Sequence, residues 1–288
     1  MDSITAIQSA IEYMEQHLLE DINYMDVSRQ VNLSGFHFHR LFSMITGMTI
    51  TEYIRNRRLS LAGQELVLSE EKVIDIALKY GYDSPESFSK AFSRFHSIAP
   101  SAARRSGEQL TLYNRLILKL SIEGGVLMEY KIVEREPFKL IAKTRQFKNE
   151  IVNDDTNHDI PDFWEENIEA GLIPELKKMA ASDDIYGACA ALSKEIDTFA
   201  YGIGVQYDGD AVPDGYRLWE VKPTLWGVFP CYGKDAECVR ETWKKIFGEF
   251  LPGSGYDMLD EVDFEFYPAE KEREDLFCEI WIPIEKKR

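Results

Sequence analysis

The chain has 288 residues, which is enough for two domains that each bury a hydrophobic core. Its net charge of −17 argues against a protein that binds nucleic acid over its whole surface. Apolar residues make up 44% of the chain and no apolar run approaches the ~18 residues that span a bilayer, so we expect a cytoplasmic protein without membrane contact.

The charge is distributed unevenly along the chain. Residues 26–105 carry 11 Lys and Arg against 8 Asp and Glu, whereas the remaining residues carry 22 against 42. A mildly basic segment joined to an acidic body is compatible with DNA binding by that segment alone. The four cysteines show no C-x-x-C spacing, so we expect reduced thiols, and neither a metal nor another cofactor is expected.

Residues 1–107 are predicted to be almost entirely helical and to form one domain. Their apolar residues recur at three- and four-residue spacing, as in Ile4, Ile7, Ile11, Met14 and Leu18. This half also repeats itself: DVSRQVNLSGFHFHRLFSMITGMT aligns with DIALKYGYDSPESFSKAFSRFHSIAP. Each copy predicts a short helix, a tight turn (residues 32–34 and 81–84) and a second helix. The sequence therefore predicts two helix-turn-helix units, at about residues 24–50 and 73–100.

Two histidines near the start of the second helix, His37 and His39, are spaced i, i+2. Such residues lie about 200° apart around a helix axis, so they cannot share a metal ion. If Phe38, Leu41 and Phe42 form the buried stripe, then Phe36, His37, His39 and Arg40 lie on the outer arc. That set suits base-edge and phosphate contacts, and the alternative is a solvated polar face. The second copy favours DNA, because it places Glu86, Ser87, Ser89 and Lys90 at the same positions.

Two stretches, LFSMITGMTITEYIRNRRLSLA and VIDIALKYGYDSPESFSKAFSRFHSIAPSAAR, resemble the AraC/XylS family of transcription regulators. The resemblance implies promoter DNA as a partner, with two recognition helices about 34 Å apart in successive major grooves. It also implies RNA polymerase as a partner. By position, Phe36, His39 and Arg40 match base-reading residues of the family's first recognition helix. The residues that match the second recognition helix are Glu86, Ser87, Ser89 and Lys90. The family more often has a basic or amide residue at the position of Glu86. Two alternatives therefore stay open for Glu86: it contacts a cytosine, or it contacts no base.

The second half, residues 110–288, reads as strands and helices. RLILKLSIEGG and YKIVEREPFKLIAKTRQF alternate in hydrophobicity as strands do. YKIVEREP is repeated as YRLWEVKP 86 residues later, and each copy continues with a helix and two strands. We expect an α+β protein whose second domain is a duplicated β-α-β-β unit, folded as one antiparallel sheet with its helices on one face.

The last strand, LFCEIWIPI, predicts what each face of that sheet carries. One face is aliphatic, and the other presents Phe277, Glu279 and Trp281. A carboxylate between two aromatic rings is costly to bury without a partner. Other strands carry Phe199, Tyr201, Trp219 and Trp226. Together these residues predict an aromatic cleft for a flat, hydrophobic cation. The alternative is an ordinary core, with Glu279 at an exposed edge.

This half resembles the GyrI-like effector-binding domains, through ExxP, LPGSGY, FEFYPA and CEIWIPI. The resemblance implies an acidic residue in a central cleft that meets lipophilic cationic ligands. Glu279 is the first candidate by motif position and Glu265, in DFEFY, is the second. A reader of the AraC type followed by such a domain resembles the Rob-like multidrug-responsive activators.

The leading interpretation is a DNA-binding transcription regulator that a small, lipophilic cationic ligand modulates. One alternative is a small-molecule hydrolase with a cleft glutamate as general base. Against it, the acidic half contains a single histidine, His158, and no Ser/His/Asp or Cys/His arrangement. Another alternative is a protein-binding module of the gyrase-inhibitor type.

The duplicated helix-turn-helix predicts the stoichiometry of the DNA complex. Because one chain carries both recognition helices, we expect a single chain to occupy an operator. Band-shift titration with protein of known concentration should show a 1:1 complex. A 2:1 complex without a 1:1 intermediate would contradict this prediction.

Overall fold

The computed structural model describes residues 3–31, 35–105, 108–118, 127–148, 159–190, 198–209 and 211–287. Internal contacts divide the chain into two compact units, Ser3–Ile122 and Glu123–Arg288. The first is helical and the second is built on a sheet. Within the ranges given, no helix is both long enough and apolar enough to cross a membrane.

The N-terminal unit contains two helix-turn-helix pairs joined by a long helix. Its described helices are α1 (Ser3–Gln16), α2 (Tyr24–Gln30), α3 (Gly35–Thr46), α4 (Ile50–Leu68), α5 (Val73–Lys79) and α6 (Pro85–His96). α2 and α3 form the first pair, and α5 and α6 form the second. The first predicted turn, residues 32–34, lies outside the described residues. The second contains Gly81 at φ +81°, in the left-handed region that favours glycine.

Side-chain caps set where these helices begin. Asn23 accepts hydrogen bonds from the backbone at the start of α2, and Thr49 forms a capping box with Glu52 at the start of α4. At α6 the Ser84 Oγ atom accepts from the Ser87 amide, and Pro85 takes the first helical position, as the Ser-Pro pair predicts. Each cap of this kind is worth about 1 kcal/mol of stability.

The two pairs bury equivalent aromatic residues. Phe38 and Phe42 of α3, and Phe88 and Phe92 of α6, are fully buried. Phe42 packs edge-on against Tyr53 of α4. Phe88 and Phe92 join a cluster that includes Leu59, which also belongs to α4. Both helix-turn-helix pairs therefore pack against α4. Burying each of these rings contributes about 1.5–3 kcal/mol to stability.

The strand predicted at RLILKLSIEGG is wrong for the part that is described, since residues 108–118 form no strand. Side chains of the helical unit take the backbone donors that a sheet would have used. Within the motif the Leu116 amide donates to the Tyr53 hydroxyl oxygen (3.3 Å). Just before it, the Thr111 amide donates to His96 Nδ1 (3.1 Å) and the Tyr113 amide to the Ser60 hydroxyl oxygen (3.0 Å). The rest of that motif, residues 119–125, lies outside the described residues.

The C-terminal unit places nine described strands in one antiparallel sheet. The strands are β1 (Lys131–Arg135), β2 (Phe138–Lys148), β3 (Ile185–Ala190), β4 (Thr198–Gln206), β5 (Arg217–Val221), β6 (Thr224–Tyr232), β7 (Tyr256–Met258), β8 (Asp263–Tyr267) and β9 (Leu276–Lys286). The helices are α7 (Asp159–Glu169), α8 (Leu172–Met179) and α9 (Glu237–Lys245), and a π-helical turn, Ile246–Phe250, continues α9.

The strand order, β1-β6-β9-β8-β3-β4-β2-β5, is symmetric under exchange of the two repeats. β8 and β3 meet at the centre, and β7 pairs with β9 off this path. Each repeat begins with one short strand more than predicted, β1 or β5, and these strands are exchanged: β1 pairs with β6 and β5 pairs with β2. The predicted α+β architecture, with a duplicated antiparallel sheet, is confirmed.

The two faces of the sheet differ in what covers them. On the helix face, Phe163 of α7 packs edge-on against Tyr201, and Phe250 after α9 packs against Phe229. Ile280, cross-strand from Phe229, lies on this face and is fully buried, as predicted for the aliphatic side of the last strand. The opposite, inner face carries a core formed by Phe138, Leu140, Tyr186, Ala188, Ala200, Trp219, Val221, Trp226, Val228, Val262 and Phe264.

Candidate DNA-binding and effector sites

The start of α6 presents the predicted polar set of the second recognition helix. Glu86, Ser87 and Lys90 are exposed and Ser89 is half-buried, while Phe88 anchors the helix from below. The Ser87 hydroxyl donates to the Ser84 backbone oxygen (2.9 Å), so the cap also orients Ser87. These side chains share the outer side of the first helical turns, where an element that enters a major groove makes its contacts.

The first recognition helix, α3, confirms the predicted buried stripe, because Phe38, Leu41 and Phe42 are all buried. Arg40 is half-buried. The side chains of Phe36 and His37 lie outside the described residues.

His39 does not lie on the outer arc. Only 6% of its surface is exposed, and its ring packs edge-on against Tyr24 of α2, with 5.5 Å between ring centroids. Burial lowers the pKa of His39 to about 4, so the imidazole is neutral near pH 7. The periodicity argument assigned α3 too narrow a buried stripe, because the packing of α2 widens it. His39 is a core residue rather than a base-reading one.

Glu279 lies on the inner face with two partners. Its carboxylate is 2.9 Å from Lys131 Nζ and accepts a hydrogen bond from Trp281 Nε1 at 2.9 Å, and only 12% of its side chain is exposed. Lys131 therefore supplies the cation that the sequence analysis expected a ligand to bring to Glu279. Lys131 belongs to β1, two strands away in the sheet and 148 positions earlier in the chain.

A cavity of about 490 Å³ opens beside this ion pair. Phe266 and Trp281 contribute aromatic walls, and Lys131 contributes a positive charge. The remaining charged lining residues are acidic: Asp183, Asp184, Glu270, Glu272 and Glu279. The cavity is thus acidic and partly aromatic.

The predicted tryptophans of the inner face belong to its core. Trp219 and Trp226 are 4% and 1% exposed, and the Trp226 ring lies 6.1 Å from that of Trp281. For these residues the ordinary-core alternative holds. The structure does not bring all the predicted effector residues into one cleft, because Glu279 and the three tryptophans face one way and Tyr201 and Glu265 the other.

Glu265 lies on the helix face in a shell of aromatic donors. Its Oε2 atom accepts hydrogen bonds from the hydroxyls of Tyr201 (2.9 Å) and Tyr267 (3.0 Å), and Trp164 Nε1 of α7 donates to the Tyr201 hydroxyl oxygen (2.8 Å). Burial, reinforced by the Glu265 charge, raises the pKa of both tyrosines well above its ordinary value. Both hydroxyls therefore stay protonated and able to donate.

Gly187 of β3 makes this arrangement possible. β3 runs between the strands that carry Tyr201 and Glu265, so the tyrosine must reach across it. A Cβ atom at Gly187 would lie 2.2 Å from the Tyr201 hydroxyl oxygen, 3.0 Å from Glu265 Oε2 and 3.1 Å from Trp164 Cζ2. Any larger residue would force these groups apart.

Two more predicted residues belong to the helix-face group. Phe277 was predicted to share a face with Glu279 and Trp281, but it packs edge-on against Tyr267 (5.9 Å between centroids), because the strand register shifts beside it, between Cys231 and Tyr232. Phe199 stacks on Phe147 (5.6 Å). Sequence analysis missed Trp164, Tyr267 and Gly187. The i, i+2 spacing of Glu265 and Tyr267 in a strand was an available signal, whereas nothing local indicates that Trp164 contacts them. Among the residues with described positions, no group of three His, Cys, Asp or Glu side chains could hold a metal ion.

Comparison with known proteins gives two family matches. Residues 131–284, more than half of the chain, match Cass2, the integron-associated effector binding protein family. Residues 27–106 match a helix-turn-helix domain of the HTH_18 type.

Relatives match over very different lengths. The right origin-binding protein of Escherichia coli K12 is 28% identical over 99% of this chain and 100% of its own length. The uncharacterized HTH-type transcriptional regulator YbfP of Bacillus subtilis is 38% identical over 37% of this chain, but this covers only 36% of YbfP. The structure of SAV2435 bound to tetraphenylphosphonium is 20% identical, covers 55% of this chain and 94% of its own, and has a TM-score of 0.46.

The buried His39 predicts a pH-dependent stability of the helical unit. The folded pKa of about 4 lies below the ordinary value of about 6.5, so between these values the unfolded chain binds the extra proton. The free energy of unfolding should fall by about 3 kcal/mol as the pH decreases from 6.5 to 4. His39→Phe should flatten this dependence in urea unfolding followed by helical circular dichroism. Some slope should remain, because burial also lowers the pKa of His96.

Tryptophan fluorescence provides an internal control for that experiment. All five tryptophans lie in the C-terminal unit, so the fluorescence transition should have the same pH dependence with and without the substitution. An unchanged slope of the helical signal in His39→Phe would contradict the prediction.

Proposed function

Since this chain belongs to the Cass2 family of integron-associated effector binding proteins and carries an AraC-type helix-turn-helix domain, we propose that it is a transcription regulator whose activity a lipophilic cation controls from the helix face of the sheet. That it is a DNA-binding regulator rather than an enzyme follows from its relatives. The ligand and its site are the proposed part. The observation that carries them is the Glu265 carboxylate, held by two tyrosine hydroxyls inside an aromatic shell.

The chemistry of this shell suits a large cation with apolar substituents. Aromatic faces attract cations through their quadrupoles, and a partly buried carboxylate adds a direct charge interaction in a poorly hydrated environment. Tyr201 and Tyr267 keep the carboxylate oriented in the absence of ligand. The acidic charge of the chain outside the DNA-binding segment would raise the local concentration of cations.

Glu265 is favoured over Glu279 for this role because of what surrounds each carboxylate. Lys131 already compensates the charge of Glu279, so a second cation there would have to displace it. Glu265 instead lies on a central strand, β8, next to the boundary between the two repeats. Trp164 stands over Gly187 in contact with this group, so a ligand that reaches the carboxylate displaces the Trp164 ring.

The DNA-binding half is proposed to insert α3 and α6 into successive major grooves of promoter DNA. Arg40 of α3 and Glu86, Ser87, Ser89 and Lys90 of α6 are the proposed contact residues, in a domain that comprises residues 1–107. The effector domain is proposed from the sequence to span residues 110–288, and its compact part is Glu123–Arg288, because residues 108–118 are bonded to the helical unit. A relative named for binding an origin, which aligns with this chain over its whole length, supports DNA recognition. RNA polymerase is the proposed protein partner, and the cytoplasm is the proposed location.

Removing the charge of Glu265 tests the ligand site. Glu265→Gln keeps the shape of the side chain, so its affinity for a tetraarylphosphonium cation should fall by about 1–3 kcal/mol. The matched control is Glu279→Gln, which removes a similarly placed charge from the other face and should leave the affinity unchanged. Isothermal titration of the full chain measures both. Loss of affinity in the control alone, or no binding by the wild-type protein, would refute the proposed site.

Replacing Arg40 tests the proposed reading of bases by α3. Arg40→Ala should weaken binding to an operator, selected from random DNA by the wild-type protein, by about 1–3 kcal/mol. Binding to competitor DNA should weaken far less. Arg29→Ala is the matched control, because Arg29 is an exposed arginine of the same pair that forms an ion pair with Asp26. Equal losses on specific and competitor DNA would make Arg40 a phosphate contact.

A further inference from the structure

Arg135, the last residue of β1, lies among the aromatic rings of the inner face. Its guanidinium carbon is 3.8 Å from the ring centroid of Phe138 and 5.4 Å from that of Trp281. It is also 5.7 Å from the Tyr186 centroid and 6.0 Å from the Phe264 centroid. These four rings come from four different strands, β2, β9, β3 and β8, so the inner face surrounds the guanidinium from several sides.

The polar contacts of this guanidinium are neutral. Its Nη2 atom donates to the Tyr186 hydroxyl oxygen at 2.9 Å and to Gln206 Oε1 at 3.1 Å. No carboxylate forms an ion pair with Arg135 within the part of the chain that is described. Recognition therefore rests on ring faces and neutral acceptors, which is how proteins bind organic cations that carry apolar surface.

We propose that the inner face of the sheet is a second cation-binding site, specific for planar guanidinium-type cations, and that Arg135 of the chain itself occupies it. Phe138, Trp281, Tyr186 and Phe264 supply the cation–π contacts, and Tyr186 and Gln206 select N–H donors. The site lies on the face opposite Glu265, so it does not depend on the effector site proposed above.

This occupancy has a consequence for specificity. Without Arg135, these rings would be open to external guanidinium-type cations, and two binding faces would give an ambiguous response. While Arg135 lies among these four rings, external guanidinium-type cations are excluded from them. Arg135 is thus a specificity-determining residue that keeps these four rings from competing with the helix face for a cation.

Emptying the site tests the proposal. Arg135→Ala should create a site for methylguanidinium, and the affinity of this variant for methylguanidinium should exceed that of the wild-type chain by at least about tenfold. Ligand that binds only the folded state raises the unfolding temperature, so a saturable rise should appear in Arg135→Ala and be absent from wild type. Tetramethylammonium, which has no N–H donors, should raise it much less.

The matched control is Arg145→Ala. Arg145 also lies over one ring, Phe163, at 4.6 Å, but it is 42% exposed and pairs with Glu166. Its loss should create no methylguanidinium site. All variants are compared in the Glu265→Gln background as well, which separates this site from the helix-face site.

Each result is decisive. If Arg135→Ala folds and responds to methylguanidinium as the wild type does, or responds equally to tetramethylammonium, the proposal is wrong. If Arg135→Ala does not fold by itself, low concentrations of methylguanidinium must restore its folded circular dichroism spectrum. Failure to restore it would likewise overturn the proposal.

Discussion

The alternation of side chains along β8 and β9 decides what each face of the effector sheet can hold. Successive residues of a strand point to opposite faces, so Glu265 and Phe266 cannot serve the same site. Cross-strand pairing then joins Phe266 to Glu279 on the inner face, while Glu265 pairs with Ile280 on the helix face. The two candidate acids are thereby separated by the sheet itself, and each takes its partners from its own side.

The inner face shows what an aromatic core requires when it also contains polar atoms. The indole Nε1 atoms of Trp219 and Trp226 are buried and have no hydrogen-bond partner among the described residues. Arg135 and Lys131 enter this face from β1, at the end of the sheet, and bring charges that ring faces and Glu279 can satisfy. β1 therefore contributes two cationic side chains to the inner face in addition to its backbone pairing with β6.

In the helical unit, α4 and the segment after α6 connect the duplicated pairs. Arg57 of α4 forms an ion pair with Glu15 of α1 and donates to the Tyr113 backbone oxygen (2.6 Å). His96, at the end of α6, accepts from the Thr111 amide through Nδ1, and its Nε2 atom lies 2.9 Å from the Leu59 backbone oxygen. The segment that leads towards the effector unit thus touches α4, the helix between the two pairs, and α6 of the second pair.

Local patterns were sufficient for much of the fold. The apolar spacing and the caps of α6, the repeated helix-turn-helix and the aliphatic face of β9 all follow from residues within one or two turns of each other. The sequence likewise identified Glu265 and Tyr201 as candidates for the proposed cation site. Only the tertiary structure decided which residues contact each other. His39 is buried because α2 packs on it, and Glu279 pairs with Lys131, which lies 148 positions earlier in the chain. Helical and strand periods depend on neighbouring residues, whereas pairing depends on which distant strands the folded chain brings together.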